Sequence, residues 1–168
     1  MKLVLALLML ASCAAANFAQ TALVENDFEK NKSKYKLEKL AMGEDASSGY
    51  DYLVYKNKDE IVKVREIWSS SANPVYRIED YFYKDGKLAV LVKYTFTKKF
   101  YKTSLKGTNV PAKIVEKLTL TDSKLTAWTE NGKTIPTTDK RWKDKEKEVL
   151  EAGTSQLENY KFLKEDSN

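Results

Sequence analysis

Three carboxylates lie in apolar segments of the sequence and are its strongest candidates for chemistry. Glu66, Asp80 and Glu116 each share the strand parity of apolar neighbours. Burying a carboxylate is costly unless it is paired or protonated, and clustered carboxyls can do acid–base work. Two close carboxyls would suffice for the hydrolysis of a glycoside. The alternative is that all three lie near the rim of a sheet and pair with Lys or Arg. We favour ion pairing and predict no catalytic residue.

The residue types present exclude several kinds of catalysis. The chain has no histidine, and its single cysteine is Cys13. Ser-His-Asp and Cys-His mechanisms are therefore excluded. Because Cys13 lies in the N-terminal leader, the remaining domain contains neither a disulfide nor a Cys or His metal site. We predict a non-enzymatic protein that holds no metal and no cofactor.

One turn organises the elements that would position the carboxylates. Asp85-Gly86 between two apolar runs is typical of a β-hairpin. Residues directly opposite each other must face the same side of the sheet. A two-residue loop would pair Tyr83 with Leu88 and put the apolar sets on opposite faces. We therefore expect a three-residue loop, Lys84-Asp85-Gly86, which pairs Phe82 with Leu88.

The chain reads as an α+β fold built on an antiparallel meander sheet. Short periodic segments separated by turn signals predict about six strands, with consecutive strands as neighbours. Alternation with polar residues indicates one covered and one solvated face. Helices at the two ends of the chain are the natural cover, so we expect both to pack on one face. The strands are expected near residues 50–56, 60–69, 75–83, 87–98, 113–121 and 124–131.

Helical periodicity marks the two ends of this domain. Leu23, Val24 and Phe28 fall on one helical face, whereas the segment 35–40 is ambiguous between helix and extended chain. Near the C-terminus, Thr138 or Asp139 is the expected N-cap. The apolar stripe that follows predicts a helix covering the core, although a helix that docks into a partner is the alternative. The stripe consists of Trp142, Val149, Leu150, Gly153, Leu157 and Tyr160.

Two features are candidate binding surfaces. In the expected register Tyr81 and Tyr83 point away from the covered face, and exposed aromatics are favoured anchors at interfaces. Their alternative role is cross-strand stabilisation of an open sheet face. A long connection that mixes aromatics and cations follows, and such loops are often functional, although this one is alternatively a solvated link. Its candidate residues are Lys98, Lys99, Phe100, Tyr101 and Lys102.

The N-terminal residues indicate export. One positive charge, a short apolar core and small residues are typical of a secretory signal peptide, here residues 1–16. Leu10-Ala11-Ser12-Cys13 also resembles the lipobox of bacterial lipoproteins, which would end the leader at residue 12 and attach lipid to Cys13. Cleavage before Asn17 is the alternative. The single domain would then span residues 17–168.

The two routes predict different destinations. A lipid on Cys13 would anchor the protein without a transmembrane helix. The resemblance, with Ala14 rather than Asp in the next position, implies outer-membrane sorting in a Gram-negative host. We expect an exported protein, either periplasmic or an outer-membrane lipoprotein, and otherwise secreted.

Charge argues against a nucleic-acid partner. The formal net charge is +5, but lysines and acids are interspersed. Arginine, which reads base edges and phosphates, occurs only at Arg65, Arg77 and Arg141. We therefore expect no nucleic acid among the partners and contact with a membrane only through the N-terminal lipid.

Two hairpins carry a resemblance to known proteins. The segment 80–88, Asp-Tyr-Phe-Tyr-Lys-Asp-Gly-Lys-Leu, resembles the "YYFxxGKL" hairpin of small exported bacterial proteins and lipoproteins of uncharacterised function. The segment 120–128 resembles their second hairpin, with Leu120 in place of an aromatic. The resemblance implies an α+β sheet protein, often lipidated, without an established activity. A looser likeness is to the sheet-and-helix modules of secreted enzyme inhibitors, which bind through an open sheet face.

Three hypotheses for function follow. The first is a non-enzymatic module that binds an unidentified envelope protein through the exposed sheet face and the Lys98–Lys106 loop. The second is a periplasmic carrier or sensor of a small apolar or anionic ligand held between helix and sheet. The third is a carboxylate-based hydrolase that uses Glu66, Asp80 or Glu116.

Overall fold

A computed structural model describes residues 23–45, 48–70, 76–96 and 113–165. Within these residues, eight strands form one antiparallel sheet in which each strand pairs with the next along the chain. Helix α1 covers residues 23–31, a 3-10 turn at Lys32–Lys34 follows it, and helix α2 runs over Trp142–Glu165. The strands are β1 (Lys36–Asp45), β2 (Ser48–Asn57), β3 (Glu60–Ser70), β4 (Tyr76–Lys84), β5 (Lys87–Phe96), β6 (Lys113–Thr121), β7 (Lys124–Glu130) and β8 (Lys133–Thr134).

The α+β class and the antiparallel meander are confirmed, but the strands number eight rather than about six. The two additional strands are β1 and β8. Leu37 of β1 packs on one side of the sheet and Leu40 on the other. Because its apolar residues serve both faces, the segment lacks the alternation that marks a half-buried strand. β8 has only two residues, too few to show any periodicity.

The predicted three-residue loop after β4 is wrong. Asp85 and Gly86 form a two-residue turn, both with positive φ (51° and 71°), and Tyr83 pairs with Leu88. The register then shifts, so that Phe82 pairs with Val90. A β-bulge at this point takes up the extra residue that the apolar parity demands. The parity argument holds for Phe82, Val90 and Val92, which share one face, but Leu88 lies with Tyr83 on the other, and the extra residue is in the strand instead of in the loop.

The prediction that both helices cover one face is also wrong, because the sheet is buried on both sides. Helix α1 packs on what we call the α1 face, and helix α2 packs on the opposite α2 face. The α1 face has a core of Phe28, Leu53, Tyr55, Ile67, Ile78, Phe82, Val90 and Val92. The α2 face has a core of Tyr52, Val54, Val64, Tyr81, Tyr83, Leu88, Leu91, Leu118, Leu120, Leu125, Trp128, Val149 and Tyr160.

Tyr81 and Tyr83 therefore do not form the exposed aromatic patch expected from the sequence. They are 2% and 5% exposed. The Tyr83 hydroxyl donates a hydrogen bond to the Gly153 carbonyl (2.8 Å), and the Tyr81 hydroxyl donates to Glu79 Oε2 (2.6 Å). A buried tyrosine is stable when its ring is packed and its hydroxyl is satisfied, and α2 provides the cover. Cys13 and the loop candidates Lys98, Lys99, Phe100, Tyr101 and Lys102 lie outside the described residues.

The predicted apolar stripe of α2 is confirmed as its packing face, although the helix begins a few residues after the expected N-cap. Val149, Gly153 and Tyr160 are buried, and the Asp139 carboxylate accepts a hydrogen bond from the Arg141 amide (2.9 Å). Gly153 lies at a close approach of helix and sheet. A Cβ atom there would lie 2.9 Å from Leu88 Cβ and 2.7 Å from Leu88 Cδ2.

We expect Gly153→Ala to lower the free energy of unfolding by about 1–2 kcal/mol. Because two Leu88 atoms would lie within 3.0 Å of the added Cβ, we place the overpacking cost at about 2–3 kcal/mol, the upper part of the usual ~1–3 kcal/mol, and the better helix propensity of alanine returns ~1 kcal/mol. Urea unfolding of this variant beside Ser155→Ala, an exposed position on the same helix, measures the difference. Equal stability of the two variants would contradict the close approach.

Candidate functional site

A buried ionic cluster lies at the centre of the α1 face. Asp80, in the middle of β4, is 1% exposed. Its Oδ1 accepts a hydrogen bond from Arg65 Nε (2.6 Å), and its Oδ2 accepts from Arg65 Nη2 (2.7 Å) and lies 2.8 Å from Lys63 Nζ. Arg65 is directly opposite Asp80 on β3, and Lys63 is two residues away on the same face. The register of β3 against β4 therefore builds this cluster, which we call the Asp80 cluster.

The Asp80 cluster contains two cations and one carboxylate, a net charge of one positive. Burial strongly lowers the pKa of Lys63, Asp80 raises it and Arg65 lowers it further, and the resulting value is about 8. Burial alone would raise the pKa of Asp80, but Arg65 and Lys63 hold it at about 2. Asp80 and Arg65 are therefore both ionised at neutral pH, whereas Lys63 keeps its charge only narrowly.

Aromatic rings enclose the lysine of this cluster. Lys63 Nζ lies 4.6 Å from the centroid of the Phe28 ring and 4.4 Å from that of Phe82. The face of an aromatic ring attracts a cation, and more strongly when both are removed from water. Phe28 also meets the Tyr55 ring edge-on, with centroids 5.0 Å apart. Phe28, the single buried aromatic residue of α1, thus covers Lys63 of the Asp80 cluster.

A cleft of about 320 Å³ adjoins Phe28, between α1 and strands β3 and β4. Its walls are largely apolar, and the exposed side chains of Asp27 and Lys84, one of each charge, also line it. The rings of Phe28 and Phe82 line the cleft and also contact Lys63. Two aromatic rings are therefore common to the wall of the cleft and to the surroundings of Lys63.

Charge also attaches α1 to the sheet. Glu25 forms an ion pair with Lys117 of β6. Glu29, one turn further along the helix, acts on Lys63 by raising its pKa. The acidic side of α1 thus faces the basic side of the sheet, and this electrostatic attraction adds to the packing of Phe28.

The three predicted carboxylates do not come together. Asp80 lies on the α1 face, whereas Glu66 and Glu116 lie on the α2 face. Glu116 accepts a hydrogen bond from the Trp128 indole (3.0 Å) and pairs with Lys93 (3.1 Å) and Lys145 (3.3 Å). Glu66 accepts a hydrogen bond from Gln156 Nε2 (2.9 Å). The ion-pair interpretation is confirmed for Asp80 and Glu116, but Asp80 lies at the centre of the sheet rather than near its rim.

Sequence reasoning missed Lys63 and Arg65, the cations that define the cluster. A signal was present, because Val64 and Ile67 have opposite parity in β3 and both are fully buried. A strand buried on both faces requires a partner for each of its charged residues. Asp80 was the acid available on the next strand, and the two cations could have been assigned to it.

The described residues contain no group of three or more His, Cys, Asp or Glu side chains that could hold a metal ion. In the same part of the chain, no helix is long and apolar enough to cross a membrane. Comparison of the chain with protein-family models, curated proteins and solved structures finds no match.

We expect Asp80→Asn to destabilise the fold by about 3–5 kcal/mol, because it leaves Lys63 and Arg65 buried beside a neutral amide. The measurement is the free energy of urea unfolding at neutral pH, with Asp59→Asn in an exposed turn as the control. A loss as small as that of the control would show that the cluster contributes little.

The same variant has a predictable dependence on pH. The folded-state pKa of Asp80 is lowered to about 2. The ionised Asp80 carboxylate therefore stabilises the folded state fully above its unfolded pKa of about 4, and this stabilisation is lost as pH falls through about 2. The stability difference between the parent protein and Asp80→Asn should therefore narrow between about pH 4 and about pH 2. A difference that stays constant over this range would contradict the assignment.

Proposed function

We propose that the protein is a non-enzymatic carrier or sensor of an apolar molecule with an anionic head group, bound between α1 and the sheet. The observation that carries this proposal is the buried pairing of two cations, Lys63 and Arg65, with the single carboxylate of Asp80. We further propose that it acts outside the cytoplasm, since residues 1–16 have the pattern of a signal peptide and Cys13 lies in a lipobox-like segment.

The charge of the Asp80 cluster supports an anionic head group. A buried charge is costly unless it is paired, and burial lowers the pKa of Lys63 for the same reason. A carboxylate placed beside Lys63 would balance the cluster, with two anions against two cations. The cluster is thus predisposed to bind an anion, and it would discriminate against a neutral molecule of the same shape.

The adjoining cleft supports an apolar body on that anion. Its volume of about 320 Å³ is at the lower end of small-molecule sites, which span ~300–1,000 Å³. Val24, Phe28, Val62 and Phe82 give it apolar walls. A hydrocarbon chain of moderate length fits this space better than a bulky polycyclic ligand does.

Access to the Asp80 cluster requires the Phe28 ring to move. Phe28 is 3% exposed and covers Lys63 from the side of α1. Among the described residues, helix α1 contacts the sheet through the buried Phe28, the partly buried Val24 and the Glu25–Lys117 pair. A ligand whose head group replaces the Phe28–Lys63 contact would therefore displace one ring and not a whole core.

The other two hypotheses have less support. A protein-binding surface built on Tyr81 and Tyr83 is not available, because both side chains are buried under α2. Binding of an envelope protein through residues 98–102 stays a proposal. A hydrolase that uses Asp80 together with Glu66 or Glu116 loses its geometry, because the sheet separates them.

We expect dodecanoate to bind the protein at least about tenfold more tightly than dodecanol does, since a hydrogen bond to a charged group contributes ~1.5–3 kcal/mol. Lys63→Met should remove this preference, whereas Lys143→Met on the exposed side of α2 should keep it. Isothermal titration calorimetry gives the dissociation constants of both ligands for the parent protein and the two variants, and circular dichroism checks the fold.

Lys63→Met is expected to fold, because Arg65 still pairs with Asp80 and a buried ion pair can often be replaced by apolar side chains. Equal affinity of the parent protein for dodecanoate and dodecanol would contradict the proposal. So would a loss of preference in Lys143→Met as large as that in Lys63→Met.

The affinity for dodecanoate should also fall as pH rises from about 7 to about 10. Lys63 has a pKa of about 8, and above it the neutral amine no longer attracts an anion. Bound dodecanoate favours charged Lys63, so the loss should be centred somewhat above pH 8. Titrations at four pH values measure it, with Lys63→Met as the control expected to stay flat. A pH-independent affinity of the parent protein over this range argues against a role for Lys63.

A further inference from the structure

A row of polar side chains crosses the α2 face of the sheet. Its members are directly paired from strand to strand: Tyr52 with Glu66, Glu66 with Glu79, Glu79 with Lys93, and Lys93 with Glu116. Directly opposite residues have Cβ atoms about 4.5–5.5 Å apart, and like charges in such a pair repel. Glu66 and Glu79 therefore form an unfavourable acidic pair in this row.

The cations nearby are largely committed elsewhere. Lys93 Nζ pairs with Glu116 (3.1 Å) and Glu148 (3.5 Å). Glu79 accepts a hydrogen bond from the Tyr81 hydroxyl and pairs with Arg77 Nε (3.2 Å), whose side chain is about half exposed. The pKa of Glu66 is raised, first by burial and then by the charge of Glu79. Arg77 and Lys93 thus fail to compensate this carboxyl fully.

Helix α2 adds an acceptor that has no partner. Gln156 is 7% exposed, and its Nε2 donates to Glu66 Oε2 (2.9 Å). Its Oε1 is buried, and within the described part of the chain no hydrogen-bond donor reaches it. Buried side-chain oxygens in folded proteins are almost always satisfied. This orphaned oxygen, on a side chain bonded to the Glu66 carboxylate, is the second and independent sign of a ligand.

We propose that Glu66, Glu79 and Gln156 form a binding site for an alkylammonium group. Two carboxylates and one amide oxygen supply acceptors and negative charge, and a primary ammonium supplies three N–H donors and one positive charge. Such a group would relieve the repulsion between Glu66 and Glu79 and satisfy Gln156 Oε1. The site lies on the α2 face and is independent of the proposed anion site on the α1 face.

The approach to this site also suits an alkyl chain. The next pair along β3 and β4, on the same face, is Trp68 with Arg77, and both are partly or fully exposed. The Arg77 guanidinium lies 5.8 Å from the Trp68 ring centroid. A chain leaving the ammonium group would cross the Trp68 ring, which favours an alkylammonium over an inorganic cation. A free small amine and the lysine side chain of a peptide both carry this group.

The test uses n-butylammonium and the lysine side chain of N-acetyl-lysine methylamide as probes, with nuclear magnetic resonance of the Gln156 side-chain amide as the readout. We expect saturable shifts of this amide with butylammonium and much smaller shifts with tetramethylammonium, which has no N–H donor. Glu66→Gln should weaken butylammonium binding at least tenfold, while Glu151→Gln on the exposed side of α2 should leave it unchanged.

Glu66→Gln keeps the shape of the side chain and removes the like-charge pair, so it is expected to fold. A peptide lysine that binds more tightly than butylammonium would identify a protein as the source of the ammonium group, and equal affinities would identify a small amine. The proposal is overturned if the Gln156 amide does not shift, if tetramethylammonium shifts it equally, or if Glu66→Gln binds as well as the parent protein. A slowly exchanging water bonded to Gln156 that butylammonium does not displace would also overturn it.

Discussion

The pairing of Asp80 with Arg65 and Lys63 is the constraint on which the rest of the structure depends. A carboxylate in the middle of a central strand must be matched by cations on a neighbouring strand, and only one register of β3 against β4 places Arg65 opposite Asp80. A slip of one residue would move every side chain of β4 to the other face. The ion pair therefore also places Tyr81 and Tyr83 on the face opposite the Asp80 cluster.

The α1 face and the α2 face of the sheet differ in charge and in the length of the helix that covers them. On the α1 face, cations outnumber the acid of the Asp80 cluster, and a short helix closes over them through one aromatic ring. On the α2 face, the paired strands place Glu66 beside Glu79, and a long helix brings Gln156 to them. Within the Asp80 cluster positive charge is in excess, and within the Glu66–Glu79 pair negative charge is in excess, before Glu29, Arg77 and Lys93 around them are counted. Both proposed sites follow from that imbalance, one for an anion and one for a cation.

The elements of this fold could be predicted from the sequence better than their layers. The strands β2 to β7 and the stripe of α2 have clear periodicity, and their positions agree with the prediction to within a few residues. Which residues of β4 and β5 share a face depends on the β-bulge at Phe82 and Tyr83, which has no local signal in the sequence. Lys63 and Arg65 were missed because the sequence does not distinguish a buried cation in a strand from a solvent-exposed one. The distinction requires the register of β3 against β4. Gln156 was missed because only the structure shows that its Oε1 is buried without a hydrogen-bond partner among the described residues.

The most direct test of the central claim is the pKa of Lys63, measured by nuclear magnetic resonance of its labelled side chain with and without saturating dodecanoate. We expect a value of about 8 in the free protein, because burial disfavours the charged amine, and a clear rise when the carboxylate binds beside it. An unchanged pKa in the saturated complex would show that the anion lies elsewhere. The Asp80 cluster would then serve the fold alone.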